Sequence, residues 1–223
     1  VGNPKINYYI TYKHYNMKIS YAITVCNEFD EIQRLINFLL EKIRYEDEIV
    51  VLFDSKNGSP TVEEYLRAKS INGEFNWHKK EFEGHFADWK NYLTTLCGGD
   101  WIFQIDADEI PHENLIKYLP EILISNPENE VIKVPRVNTV YGLTEEYERQ
   151  WGWRVNNDGW VNWPDFQWRI YKNHPKIRWV NKVHEVLEGY KTWSNLHEVE
   201  EFALYHPKDI ERQVKQNNYY NTL

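Results

Sequence analysis

Three carboxylates follow an apolar run in the stretch WIFQIDADEIPHE, residues 101–113. Asp106, Asp108 and Glu109 repel one another unless a cation or hydrogen-bond donors compensate their charges. Two aspartates at positions i and i+2 after a strand can share a hard divalent cation, and Mg²⁺ or Mn²⁺ suits such oxygen ligands. The alternative is a solvated loop whose acidic side chains cap the helix that we predict to begin near Pro111. Their position after an apolar strand favours the metal site.

The elements around this cluster alternate between short apolar runs and amphipathic segments, as in βαβ units on a mostly parallel sheet. We predict strands over residues 19–25, 48–54, 75–82 and 100–106, and helices over residues 30–43, 59–69 and 86–97. Polar residues stand at several strand ends: Asn27 and Glu28, Asp54, and Asp106. In open α/β sheets the ligand cleft lies beyond the carboxyl ends of the strands. These side chains are therefore expected to converge on one site.

The second half of the chain has a different character. Residues 130–142 are strand-like, residues 150–195 are rich in tryptophan, and residues 208–221 have the pattern of a terminal amphipathic helix. Such a set of large rings forms either a compact aromatic core or a platform for sugar rings. We expect most of them to pack in a core or lobe, with Trp160 and Trp163 facing a bound sugar.

Composition and charge exclude several classes of protein. A net charge of -8 and a pI near 5.5 argue against a sequence-independent nucleic-acid binder, because that binding depends on Lys and Arg. We find no signal-peptide pattern and no apolar stretch of membrane-spanning length, so we expect no membrane span and a cytoplasmic location. Cys26 and Cys97 lack CxxC spacing and are expected to be buried small hydrophobic residues. The GxGxxG and GxxxxGK[ST] phosphate-binding motifs are missing, which disfavours dehydrogenases and P-loop NTPases.

Four stretches resemble, in order, the motifs of family 2 glycosyltransferases of the GT-A fold: AITVCNEFDEIQRLINFL, LFDSKNGSPT, KNYLTTLCGGDWIFQIDADEI, and WPDFQWRIYKN with VHE. The likeness is greatest to bacterial lipopolysaccharide-core and capsule-type sugar transferases and covers residues 18 to about 207. It implies a Rossmann-like α/β domain, with a mostly parallel sheet flanked by helices and a Trp-rich C-terminal acceptor lobe. We expect residues 18–223 to form this domain, divided into a nucleotide-sugar half (18–110) and an acceptor half (111–223), with residues 1–17 as an extension.

The resemblance also implies ligands and their contacts. It implies a nucleotide-sugar donor, with a UDP-sugar favoured, a carbohydrate or glycan acceptor, and Mn²⁺ or Mg²⁺. A metal ion and a nearby cation neutralise a leaving diphosphate. Asp106 and Asp108 are the expected metal ligands, and the expected donor-binding residues are Thr24, Asn27, Glu28, Asp54, Lys90 and Asp106. Lys90 is alternatively a cation on a helix surface, and Asn27 and Glu28 alternatively begin a helix.

An inverting transferase needs a carboxylate that takes the proton of the acceptor hydroxyl. Asp165 is our first candidate for this base and Glu185 is the second. Asp165 alternatively shapes a turn after Pro164. Glu185 alternatively forms a structural ion pair with Arg169 or Arg178. Both carboxylates are therefore candidates for the base.

A histidine is the expected additional metal ligand: His184 is the first candidate, and His206 competes for the role. The sequence thus predicts a metal-dependent glycosyltransferase that moves a hexose to an acceptor hydroxyl with inversion. One alternative is a non-catalytic sugar-binding module, which explains the tryptophans but not the acidic cluster. The other is a Mg²⁺-dependent nucleotidyltransferase, which usually has a Gly-rich basic loop where this chain has the acidic TVCNEFDE.

Overall fold

The computed structural model describes residues 17–220, so residues 1–16 of the predicted extension lie outside the described part. Its strands are β1 (Ile19–Val25), β2 (Glu48–Asp54), β3 (Asn76–Lys80), β4 (Trp101–Asp106), β5 (Ile110–Pro111), β6 (Val131–Val134), β7 (Arg136–Tyr141), β8 (Gln167–Lys172), β9 (Arg178–Val180), β10 (Val186–Glu188), β11 (Trp193–Asn195) and β12 (Leu204–Asp209). Its helices are α1 (Phe29–Lys42), α2 (Pro60–Lys69), α3 (Phe86–Leu96), α4 (Glu113–Ser125), α5 (Glu145–Trp151) and α6 (Ile210–Tyr220). Short 3₁₀ turns cover Ser70–Asn72 and Glu200–Phe202.

A seven-stranded sheet in the order β11-β6-β8-β4-β1-β2-β3 forms the centre of the fold. Strands β3, β2, β1 and β4 are parallel, and β8 is antiparallel to both of its neighbours. Thr24 lies beside Asp106 in the register of β1 and β4, so both strands end at the same level. This arrangement confirms the predicted mostly parallel α/β sheet and brings polar strand ends to one edge.

The central strands are long apolar runs because helices cover both faces of the sheet. On one face, α1 packs Ile32, Leu35, Ile36 and Leu39 against the strands, at the spacing of a single helical stripe. The observed β1 and β2 have the predicted bounds, and α1 differs from its prediction by one residue at each end. Strand β3 ends at Lys80, before its predicted end, because the chain turns there: the Phe82 N–H donates to the Asp54 carboxylate at 3.1 Å.

A second, three-stranded sheet in the order β5-β12-β7 stands beside the cleft end of the large sheet. The single strand predicted over residues 130–142 is two strands in different sheets, separated at Pro135, which has no N–H to donate to a ladder. The predicted helix near Pro111 begins at Glu113, after β5 and a His112 N-cap. The predicted terminal helix begins later than expected, at Ile210, because β12 extends through Asp209.

The tryptophan-rich segment packs as ring pairs near the second sheet and the edge of the first. Trp151 and Trp153 have ring centroids 4.7 Å apart, and Trp168 and Trp193 lie 6.5 Å apart. Cys26 and Cys97 are free and only partly buried, which corrects the expectation that both are buried, although Cys97 packs against core residues. None of the described helices combines the length and the apolar character needed to cross a bilayer.

Candidate functional site

A cleft of about 940 Å³ opens beyond the carboxyl ends of β1, β2 and β4. This is the position at which open α/β sheets bind ligands. Ten of the candidate residues line it: Thr24, Glu28, Asp54, Lys90, Asp106, Asp108, Asp165, His184, Glu185 and His206. Asn27 is exposed outside this lining, and its backbone N–H donates to the Glu28 carboxylate at 3.0 Å.

On the β2 side of the cleft, the buried Asp54 organises two loops. Its Oδ1 accepts the backbone N–H of Lys56 at 2.9 Å and that of Phe82 at 3.1 Å. The Asn57 side chain donates to its Oδ2 at 2.8 Å. Asp54 therefore fixes the loops after β2 and β3 in addition to lining the cleft.

Asp106 stands at the end of β4 among three donors. The Thr24 hydroxyl donates to its Oδ1 at 3.2 Å, the Arg169 guanidinium donates to its Oδ2 at 2.7 Å, and the Lys90 ammonium lies 3.8 Å from Oδ1. Burial acts to raise the pKa of Asp106, but the charges of Arg169 and Lys90 outweigh it and hold that pKa well below its usual range. Asp106 is therefore ionised at neutral pH.

Asp108 lies two residues further, in the turn that leads to β5. Its Oδ2 is 3.4 Å from His206 Nε2 and 3.3 Å from the Arg212 guanidinium. Burial acts to raise the pKa of Asp108, but hydrogen bonding to His206 and the charges of His206, Lys208 and Arg212 lower it below its usual range. Burial lowers the pKa of His206, while the hydrogen bond to Asp108 and the charge of Asp108 act to raise it.

The third carboxylate of the cluster, Glu109, is fully buried. It accepts hydrogen bonds from Arg169 at 2.6 and 3.0 Å and from Arg136 at 3.1 Å. It does not cap the next helix, as the solvated-loop alternative required, because His112 occupies the N-cap of α4. Glu109 instead forms ion pairs with Arg136 and Arg169, and Arg169 in turn contacts Asp106.

The two candidate bases are both paired. Asp165 accepts from Arg136 at 2.8 Å, from Asn138 at 2.7 Å and from Gln167 at 2.8 Å. Burial acts to raise the pKa of Asp165, but Arg136 and the amide hydrogen bonds lower it. Glu185 forms an ion pair with Lys90 at 2.7 Å, so its partner is neither of the two arginines considered from the sequence.

Lys90 does not lie on an exposed helix surface, which corrects that alternative. Its residue is 6% exposed, and its ammonium lies 4.8 Å from the ring centroid of Trp179. It faces inward because the α3 face that carries Ala87, Lys90 and Leu93 is buried against the sheet. A buried cation thus stands between Asp106 and Glu185.

The residues from 20 to 213 match the family model described as Glycosyl transferase family 2. The chain belongs to this family. The match confirms the predicted family and, with it, the predicted class of enzyme. No curated protein matches the chain.

Solved structures show the fold of this family 2 chain. A 1-349 fragment of S. aureus TarS is 16% identical, with a TM-score of 0.53, over 86% of this chain and 60% of that one. The same fragment in complex with UDP-GlcNAc is 13% identical, with a TM-score of 0.50, over 83% of this chain and 60% of that one. These likenesses concern the fold alone and agree with the predicted architecture. The chain spans only 23% of the longer TarS chain that it also resembles.

Several cleft residues of this family 2 chain were missed from the sequence. Arg136 and Asn138 alternate on β7 and therefore project to the same face of the sheet, a pattern visible in RVNTVY. Lys208 and Arg212 come from the end of β12 and from α6, where the sequence indicates only an amphipathic surface. Their common position follows from the pairing of β12 with β7.

The tryptophans of the cleft also differ from those expected. Trp160 and Trp163 pack edge to face on each other, with centroids 4.9 Å apart, and neither lines the cleft. Trp153, Trp168 and Trp179 line it instead. The many tryptophans in the sequence indicated an aromatic surface, but they did not indicate which of them line the cleft.

Within residues 17–220, no group of three or more His, Cys, Asp or Glu side chains is arranged to hold a metal ion. Asp108 and His206 nevertheless face each other across 3.4 Å. A carboxylate oxygen and a neutral imidazole are ligands that divalent transition-metal ions accept. The chemistry of this pair fits Mn²⁺ better than Mg²⁺, which prefers oxygen ligands alone.

Proposed function

We propose that this family 2 chain transfers a hexose from a nucleotide-sugar, with a UDP-sugar favoured, to a hydroxyl group of a glycan acceptor, with a divalent metal ion and with inversion. The observation that carries the proposal is the pair of ionised aspartates, Asp106 and Asp108, at the floor of the cleft beside Lys90, Arg169 and Arg212. Cations and carboxylates at one point suit a ligand that brings both a metal ion and a diphosphate.

The metal ligands that we propose are Asp108 and His206, with Asp106 beside them. His184, the first candidate from the sequence, lines the same cleft and stays a candidate. The distance between His206 and Asp108 favours His206. When bound, the ion neutralises charge that develops on the leaving diphosphate.

The donor is proposed to lie between the strand ends of residues 18–110 and the cations that surround Asp106. Thr24, Glu28 and Asp54 flank the space for the base and ribose. Lys90 and Arg212 supply positive charge where the diphosphate leaves. The UDP-GlcNAc complex of TarS, which shares the fold, is the reason for favouring a uridine nucleotide.

The acceptor is proposed to enter from the side of residues 111–223, where Trp153 and Trp168 line the cleft. Sugar rings pack well on such aromatic faces. Asp165 is the proposed base because its carboxylate is ionised and lies in the cleft lining. Glu185 is the second candidate for the base, and its ion pair with Lys90 places it on the donor side of the cleft.

Titration calorimetry tests the donor site. UDP and UDP-sugars are titrated into the protein with Mn²⁺ and again with a chelator, and we expect binding only with the metal ion. Asp108→Asn should weaken metal-dependent binding by at least about 100-fold, because a ligand contributes more than the outer-shell partners, whose loss costs about 10–100-fold. Asp158→Asn, at an exposed aspartate outside the cleft, is the matched control.

Equal binding with and without the metal ion, or unchanged binding by Asp108→Asn, would contradict the proposal. Acceptor-dependent release of UDP then separates a transferase from a sugar-binding module. A module that only binds sugars releases no nucleotide.

A further inference from the structure

Asn138 stands between the two sides of the cleft. It lies on β7 directly opposite His206 of β12 in the parallel register. Its side-chain amide spans from the Asp165 carboxylate, at 2.7 Å, to His206 Nδ1, at 2.8 Å. The candidate base and the histidine beside Asp108 are thereby connected through one side chain.

The chemistry of its neighbours fixes which end of the Asn138 amide points where. Asp165 Oδ2 already accepts from Arg136 at 2.8 Å and is an acceptor, and the Val161 carbonyl oxygen lies 3.5 Å from the same end of the amide. Only the NH₂ group of Asn138 can donate to these two oxygens. Its carbonyl oxygen must therefore face His206.

This orientation determines the tautomer of His206. The amide oxygen of Asn138 can only accept a hydrogen bond, so Nδ1 of His206 must carry the proton. With the proton held on Nδ1, Nε2 is the ring nitrogen that remains for a metal ion. That nitrogen is the one that lies 3.4 Å from Asp108 Oδ2.

We propose that Asn138 is a positioning residue that keeps a proton on Nδ1 of His206 and so leaves Nε2 as the nitrogen that faces Asp108 and binds a metal ion. Nε2 and the carboxylate form a nitrogen–oxygen pair that attracts a divalent cation, and in this respect the inference rests on the proposed function. Outer-shell partners of metal-binding histidines act in this way: they set the tautomer and ring orientation. Because Asn138 also donates to Asp165, it links the metal side of the cleft to the acceptor side.

Histidine NMR tests the tautomer without any metal ion or substrate. Long-range ¹⁵N–¹H spectra of the metal-free protein at about pH 8 distinguish the two tautomers, and His206→Gln assigns the signal. We expect Nδ1 of His206 to be protonated in the wild type. In Asn138→Leu we expect Nδ1 to be bare and Nε2 to carry the proton, because the Asp108 carboxylate is then the acceptor that faces the ring. A wild-type proton on Nε2 with a bare Nδ1, or an unchanged tautomer in Asn138→Leu, would overturn the proposal.

Two further variants separate positioning from simple loss of packing. Asn138→Asp keeps an acceptor for the Nδ1 proton but loses the donor to Asp165, so Nδ1 of His206 should stay protonated although the hydrogen bond to Asp165 is lost. Asn129 is a matched control, because it is 8% exposed and its side chain donates at 2.8 Å to Ser194 of β11, in the large sheet rather than in the sheet that carries His206. Asn129→Ala should lose stability but leave the His206 signal unchanged. A tautomer change in this control would also count against the proposal.

Mn²⁺ titration in the presence of UDP then connects the tautomer to the metal. We expect Asn138→Leu to bind Mn²⁺ about 10–100-fold more weakly than the wild type, and Asn129→Ala to bind it equally well. Equal Mn²⁺ affinity in Asn138→Leu would overturn the role of Asn138 toward the metal ion. A wild type that binds no Mn²⁺ with UDP would instead reject the proposed function, while the NMR result still decides the tautomer.

Discussion

Replacement of Arg169 by methionine should be among the most destabilising single changes in the molecule. Arg169 is 3% exposed and donates to Glu109 at 2.6 and 3.0 Å and to Asp106 at 2.7 Å. Methionine fills similar space without a charge. The variant therefore leaves the fully buried Glu109 with Arg136 as its remaining described ion-pair partner, and it leaves Asp106 with the more distant Lys90.

The size of the loss follows from the two carboxylates, Glu109 and Asp106, that each lose their shortest ion pair. Removal of one partner from a buried ion pair costs about 3–5 kcal/mol, because the other charge stays buried without compensation. We expect Arg169→Met to lower the free energy of unfolding by about that amount. An exposed pair contributes about 0–1 kcal/mol, and Arg149 with Glu145 at 3.4 Å is such a pair. Arg149→Met is therefore the matched control.

Urea unfolding at pH 7 and again below pH 4 measures both the loss and its cause. The pKa of Asp106 is depressed in the folded protein, so its stabilising contribution is present above the unfolded pKa and is lost as the pH falls toward the folded pKa. The difference between wild type and Arg169→Met should therefore be largest at neutral pH and shrink in acid. A loss below about 1 kcal/mol at pH 7, equal to that of the Arg149 control, would refute the reasoning.

Two further outcomes are expected. Gly189 has φ 85°, and a Cβ atom there would lie 1.7 Å from the Lys176 carbonyl oxygen, so Gly189→Ala should lower stability by about 2 kcal/mol or more in thermal unfolding. The control is Gly152→Ala, at φ 67° with open space around it, which should lower stability by about 1 kcal/mol. Equal losses in the two variants would contradict this prediction. If Asp165 is the base, the acid limb of the pH profile of kcat/KM should lie below the usual carboxyl range. Arg136→Gln should move this limb to higher pH, because it removes the charge that lowers the pKa of Asp165. A limb that does not move would exclude Asp165 as the base.

The first half of the fold was predictable because its signals are local. Strands β1, β2 and β4 are mostly apolar runs, and α1 has a regular apolar stripe, so each element is visible in its own residues. The carboxylates at 106 and 108 were likewise found by spacing alone. Their convergence followed from the general position of clefts in open sheets.

The second half depends on pairings between distant parts of the chain, which no local pattern contains. Strand β8 enters the large sheet between β4 and β6, and β12 returns to lie between β5 and β7. These pairings bring His206 beside Asp108 and Asn138 beside Asp165. From the sequence His184 was the first candidate ligand and His206 a competitor, because only the register of β12 brings His206 beside Asp108.

The carboxylates and arginines under the cleft also bear on how the family 2 chain can change over evolutionary time. Their charges alternate along one connected series: Asp165, Arg136, Glu109, Arg169 and Asp106. A substitution at a single inner position leaves a buried charge without one of its partners, which costs about 3–5 kcal/mol of folding stability. Most domains have only about 5–15 kcal/mol of stability. We therefore expect the inner members Arg136, Glu109 and Arg169 to be inherited together, and a homologue that has lost one of them to have replaced its partners as well.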